Sequence, residues 1–145
     1  MMGEQPWNLQ VVVDCDDPHE LATWWAEALH WDVEPQDEDF IASMVEQGFA
    51  NESDVTTFRG RRVWAAGAAI VHPHGQFPRV LFQSVPEPKS VKNRVHWDLR
   101  RHEGTANPED VERLITLGAR RVGEGRQGPH SWVVLADPEG NEFCM

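Results

Sequence analysis

A β-branched run, a tight turn and a capped helix occur in that order twice in this sequence, and the repeat restricts the fold more than any other feature. Leu9-Gln10-Val11-Val12-Val13-Asp14 has the β-branched content and recurring polar positions of a strand. It runs into Asp16-Asp17-Pro18, where Asp17 suits an N-cap and Pro18 the first helical position, while Glu20 completes a capping box. Leu21, Trp24, Trp25, Ala28 and Leu29 then recur at the spacing of a helix that is apolar on one side. In the second half, Arg94–Arg100 predicts a strand, Asn107 a cap and Pro108 the first helical position. Val111, Leu114, Ile115 and Leu117 supply the apolar stripe, and Gly118 the left-handed stop.

Short strands follow each helix. Ala119–Val122, Trp132–Ala136 and Glu142–Met145 are separated by Gly-rich and Asp-Pro-Glu-Gly turns, and Val55–Phe58, Arg62–Ile70 and Arg79–Val85 take the corresponding places in the first half. The order of elements predicts a βαβββ unit occurring twice, an α+β fold. An additional helix is expected over Asp37–Phe49, stopped by Gly48. One domain over residues 1–145 is expected, with module one at about 7–86 and module two at about 92–145. The stretch Val85–Asn93, with two prolines, two lysines and no glycine, reads as the connection between modules.

A chain of 145 residues buries roughly 70% of its unfolded surface, enough for a core without disulfides or metal. Cys15 and Cys144 are too few for a disulfide framework, no run approaches a membrane span, and Met1–Trp7 lacks the apolar segment of a signal peptide. The net charge of −11 argues against nucleic acid and anionic membranes as partners, since those surfaces need clustered Lys and Arg. A cytoplasmic protein with reduced thiols is expected. Seven Trp, six Phe and no Tyr are either core filler or the walls of an aromatic cavity, and composition leaves both open.

With the repeated unit, Gln10 before Asp17-Pro18, and the terminal Asp137-Pro138-Glu139-Gly140-Asn141-Glu142-Phe143, the chain resembles the vicinal oxygen chelate superfamily of glyoxalases, bleomycin-resistance proteins and extradiol dioxygenases. The segments Phe82–Lys89 and Lys92-Asn93-Arg94-Val95-His96-Trp97-Asp98 resemble the small bacterial glyoxalase-like domain proteins. The resemblance implies that the two modules form a cupped mixed sheet with helices outside, and that a homodimer forms. It also implies one divalent metal ion (Zn, Ni, Mn or Fe) held by residues at the positions of Gln10, Gln83, His96 and Cys144, with Glu142 the alternative to Cys144 on the same strand face. Asp14, Arg100 and Asp98 are the candidate contacts to a small-molecule ligand.

Two departures from the family pattern bear on chemistry. Glyoxalase reactions need a carboxylate that binds metal and shuttles a proton; Gln is a poor base, and a thiolate draws the site toward zinc or softer metals. Asp14 stands where related glyoxalases place a cation for the carboxylates of glutathione. Two functions therefore stay open: a metal-dependent lyase, isomerase or dioxygenase, or a metal-free protein that sequesters a drug or metabolite. Other templates are excluded. His72-Pro73-His74 lies in a loop without further ligands at zinc spacing, and His130-Ser131 are strand neighbours pointing to opposite faces. Single histidines such as His19, beside helix ends or turns, are expected at the surface.

Overall fold

The computed structural model describes residues 3–145, which divide into two compact units meeting between Pro86 and Glu87. In the first, β1 (Val11–Cys15) leads through Asp17 into α1 (Pro18–Leu29). Asp17 caps the helix by accepting the Glu20 amide at 3.2 Å. His30, left-handed at φ 58°, ends it. The chain then forms β2 (Asp32–Val33), α2 (Glu38–Glu46), β3 (Val55–Phe58), β4 (Arg61–Trp64), β5 (Gly67–Val71) and β6 (Val80–Ser84). Four strands make the main sheet in the order β1-β6-β5-β2, with β1 and β6 parallel, while β3 and β4 pair only with each other.

The second unit runs β7 (Trp97–Asp98), α3 (Pro108–Leu117), β8 (Arg120–Gln127), β9 (His130–Ala136) and β10 (Glu142–Cys144). Its sheet order is β7-β10-β9-β8. In both sheets the strand order is first, last, third, second, so the βαβββ unit does occur twice.

The correspondence of strands differs from expectation. Module one's second strand is β2, two residues long, and not Val55–Phe58. The β3–β4 hairpin and α2 together form an insertion between the second and third strands. A two-residue strand has no periodicity to read; it exists through its antiparallel pairing of Asp32 with Val71 and Val33 with Ile70. Arg62–Ile70, expected as one strand, breaks at Ala65-Ala66. There the Gln36 side chain bridges the two pieces, accepting from the Trp64 amide at 2.8 Å and donating to the Gly67 carbonyl at 2.9 Å. Arg94–Arg100 contributes only β7, because its one partner is the three-residue β10 at the end of the register.

Burial follows the stripes. Leu21, Ala22, Trp25, Ala26 and Ala28 of α1 are buried, as are Ala68, Ile70, Val80 and Phe82 of the sheet. In the second unit the core holds Val111, Leu114, Ala119, Leu135, Ala136 and Phe143. Of the seven tryptophans only Trp25, 2% exposed, is core in this sense, whereas Trp7 is 97% exposed. His19 corrects an expectation. It is 8% exposed, stacks on Phe58 and bonds the Trp64 carbonyl through Nε2 at 2.7 Å, tying the inserted hairpin to α1.

Candidate functional site

In a strand, side chains alternate between faces, so register fixes which residues look the same way. On the first unit's sheet Gln10, Val12 and Asp14 share one parity, and Asp14 pairs in register with Gln83. Gln10, Asp14 and Gln83 therefore lie on one face, opposite the face where Val13 and Phe82 pair and α1 packs. Gln10 is not free there: its amide oxygen accepts from Arg79 Nη1 at 3.0 Å. Arg79 in turn forms a two-pronged pair with Glu34, both contacts at 2.8 Å, which holds the Glu34 carboxyl below its ordinary range. Cys15 is buried and its thiol points to the Gln83 carbonyl at 3.5 Å, a structural role.

In the second unit, β10 lies beside β7 with Cys144 registered on Asp98, and the Leu99 amide donates to the Cys144 carbonyl at 2.8 Å. His96 stands immediately before β7, two residues ahead of Asp98. Their side chains meet, His96 Nε2 standing 3.5 Å from Asp98 Oδ1. Arg100 Nη2 approaches the other carboxylate oxygen at 3.8 Å. One imidazole nitrogen, one carboxylate oxygen and one sulfur, from His96, Asp98 and Cys144, all lie within 4.8 Å of one another.

Glu142, on the same strand face as Cys144 by alternation, stands outside this group because both its oxygens are engaged. Oε1 accepts from Lys89 Nζ at 3.0 Å and Oε2 from the Asn93 amide at 2.9 Å. Burial alone would raise its carboxyl; the Asn93 and Lys89 hydrogen bonds outweigh that and hold it below the ordinary value. The structure thus brings together His96 and Cys144 of the expected metal residues, and adds Asp98, which the sequence placed with the ligand contacts. The signal for Asp98 was present: in the expected strand, His-x-Asp puts both donors on one face.

Cys144 is not an activated nucleophile. Burial pushes its thiol up, the Asp98 charge and hydrogen bond push the same way, and the Lys92 ammonium opposes them only in part. A thiol so placed stays protonated at neutral pH unless a metal replaces the proton. Across the sheet, Trp132 shares the parity of Val134, the register partner of Cys144, and its ring lies against Gly125, where a Cβ would stand 2.4 Å from it. A concavity of about 760 Å³ in this unit is lined by Pro108, Val111, Val133 and Met145, and also by Gly125 and Trp132. None of His96, Asp98 and Cys144 lines it. The donor group is the better marker of a site, since three ligating atoms lie within 4.8 Å of one another there.

Residues 10–145 match the family model described as glyoxalase-like domain. The chain belongs to the glyoxalase-like domain family. This places it in the vicinal oxygen chelate superfamily, with the α+β fold that the strand orders describe. Among solved structures, the glyoxalase-like chain is similar to a mutant of the genomically encoded fosfomycin resistance protein FosX from Listeria monocytogenes, complexed with Mn(II) and 1S,2S-dihydroxypropylphosphonic acid. The TM-score is 0.59 at 9% identity, covering 97% of this chain and 91% of that one. It is similar also to a glyoxalase/bleomycin resistance protein/dioxygenase family enzyme from Burkholderia phytofirmans PsJN, with TM-score 0.56, 13% identity and 93% of each chain covered. At these identities the likeness is one of fold. No curated protein matches the chain.

Proposed function

We propose that this glyoxalase-like chain binds a divalent metal ion through His96, Asp98 and Cys144, and a small molecule beside it on the same face of the second unit's sheet. The observation that carries this reading is the convergence of the three donor atoms within 4.8 Å. Bonds of about 2.0–2.3 Å around a tetrahedral ion put its donors roughly 3.5 Å apart, close to the 3.5 Å between His96 and Asp98. An exposed His–Asp contact alone has little meaning. A thiol in register beside it gives the donor set of a metal site, and the donors fit the group that the family implies.

The rest of the face suits a ligand. Trp132, whose ring lies against Gly125, offers an apolar surface two residues along its strand from the partner of Cys144 and also lines the concavity. Arg100, paired with Asp98 only at 3.8 Å and exposed, is available to an anionic group on that ligand. A bound metal supplies Lewis-acid polarisation of ligand oxygens. FosX, with its metal and a dihydroxypropyl phosphonate in one complex, supports this pairing of ion and oxygenated small molecule by fold likeness alone. The reaction, if the ligand is turned over, is of the lyase, isomerase or dioxygenase type.

The test is the metal content of the untagged full chain, measured by plasma mass spectrometry after loading and dialysis. About one equivalent in the wild type, lost in His96→Ala, is the expected result. A wild type that retains no ion from Zn, Ni, Mn or Fe overturns the reading and leaves the metal-free binding function in its place.

A further inference from the structure

The donor group at His96, Asp98 and Cys144 is not neutral among metals. Hard ions such as Mg²⁺ and Mn²⁺ are held by carboxylate, carbonyl and water oxygens, usually six of them, whereas thiolate and imidazole suit zinc and its neighbours in four-coordination. In this group only Asp98 supplies an anionic oxygen. Glu142, the carboxylate on β10, is committed to Lys89 and to the Asn93 amide and does not turn toward the group. The sulfur is not a peripheral donor that an ion could ignore, for Cys144 is in register with Asp98 and the Leu99 amide bonds its carbonyl.

We propose that Cys144 is the metal-selecting residue of this site, binding as thiolate and making the chain take zinc-class ions (Zn²⁺, Co²⁺, Cd²⁺) while turning away Mn²⁺ and Mg²⁺. The proposal rests on the metal reading above and goes beyond it by naming the class of ion and the atom that chooses it. Binding is an exchange: the sulfur–metal bond forms as the thiol proton leaves for solvent, with no change in oxidation state. On this view Glu142 has a second, negative role. By staying bound to Lys89 and Asn93 it keeps the site from acquiring the second carboxylate that a hard ion would need.

The experiment uses the full chain, untagged, reduced and stripped with chelator. Cobalt(II) is titrated and followed by absorption, and wild type and Cys144→Asp are then dialysed against Zn²⁺ with Mn²⁺ in excess and analysed for both. The expected result is an intense thiolate-to-cobalt charge-transfer band in the wild type, zinc retained and manganese excluded. In Cys144→Asp the band is lost and manganese is retained with zinc. A wild type whose cobalt is lost in His96→Ala but shows no thiolate band overturns the proposal while the metal reading stands. Selection for zinc unchanged in a folded Cys144→Asp overturns it as well, and a chain that binds none of these ions overturns both. The cobalt band of the wild type needs no variant to fold.

Discussion

Asp137 is one of two polar residues buried among the described residues, 4% exposed, and its carboxylate organises the turn that feeds β10. Oδ1 accepts the Glu139 amide at 2.9 Å, the Asn141 amide at 3.0 Å and Asn141 Nδ2 at 3.2 Å, while Oδ2 accepts Asn141 Nδ2 at 3.0 Å. Around it the backbone closes twice, Gly140 N to Asp137 O and Asp137 N to Asn141 O, both at 2.9 Å. Gly140 takes φ 90°, a conformation costly to side chains with a Cβ. Asp137→Ala leaves those backbone bonds possible but removes the acceptor of two amides and a side-chain NH₂. Hydrogen bonds to charged groups contribute roughly 1.5–3 kcal/mol each, and residues 139–141 are only half-buried, so water recovers part of the loss. The expected cost is about 2–4 kcal/mol, a fall in the urea midpoint of about 1–2 M at unchanged slope. Asp137→Asn keeps Oδ1 but turns an NH₂ toward Asn141 Nδ2, and should cost less than Ala. Hydrogen exchange read by mass spectrometry localises the effect, since protection should fall in the peptide covering 137–145 and stay constant in α1. A loss below about 0.5 kcal/mol, within the range of ordinary surface changes, with unaltered exchange in that peptide, would refute the role assigned to the carboxylate.

Other perturbations test the same unit. Gly125→Ala places a Cβ 2.4 Å from the Trp132 ring, so the ring must move; a loss of about 1–3 kcal/mol from overpacking is expected, together with a shift in Trp fluorescence that Trp132→Phe abolishes. Arg101 holds the Asp110 carboxyl down to about 2 through two hydrogen bonds of 2.7 Å, helped by the Asn107 amide. A depressed carboxyl stabilises the folded state above its unfolded value of 3.8, and that stability is lost as pH falls through about 2. Carboxyl NMR of Arg101→Ala should show Asp110 titrating closer to 3.8; a midpoint unmoved by the substitution contradicts the assignment. Glu142→Gln removes the ion pair to Lys89 and should raise exchange across residues 87–95 by the equivalent of about 1–2 kcal/mol, with metal affinity lowered through loosening of β7. Unchanged exchange there would separate Glu142 from the placement of His96.

What could be read from the sequence is what local chemistry decides. Asp17-Pro18 and Asn107-Pro108 announce helices because a capping side chain and a ring-fixed φ act within one turn, and both helices start where those residues put them. Asp37 behaves alike, accepting the Asp39 and Phe40 amides. The strands that escaped were those made by partners. β2 and β7 have two residues each, and the Arg62–Ile70 run is split by the side chain of Gln36, a residue remote in sequence from the bonds it makes. His19 was misplaced for the same reason. Its neighbour Phe58 and its acceptor Trp64 belong to an inserted hairpin whose docking no spacing reveals.

At the candidate site the residue types were legible and their alliances were not. His96 and Cys144 came from resemblance, and Asp98 was assigned to the ligand, although its spacing from His96 already put both on one face of the expected strand. Glu142 shows why spacing is insufficient. By parity it has as much claim to the face as Cys144, but a carboxylate goes to strong donors that satisfy it, and both its oxygens are taken by Lys89 and the Asn93 amide. A thiol offers those donors only a weak acceptor and is left beside Asp98. The competition for Glu142 thus decides which element, oxygen or sulfur, the strand presents. Removing the cation on Glu142 Oε1 by Lys89→Met, which leaves only the Asn93 amide on Oε2, is the reverse perturbation to Cys144→Asp: it should offer an oxygen donor beside an intact thiol and admit manganese without removing the thiolate-to-cobalt band.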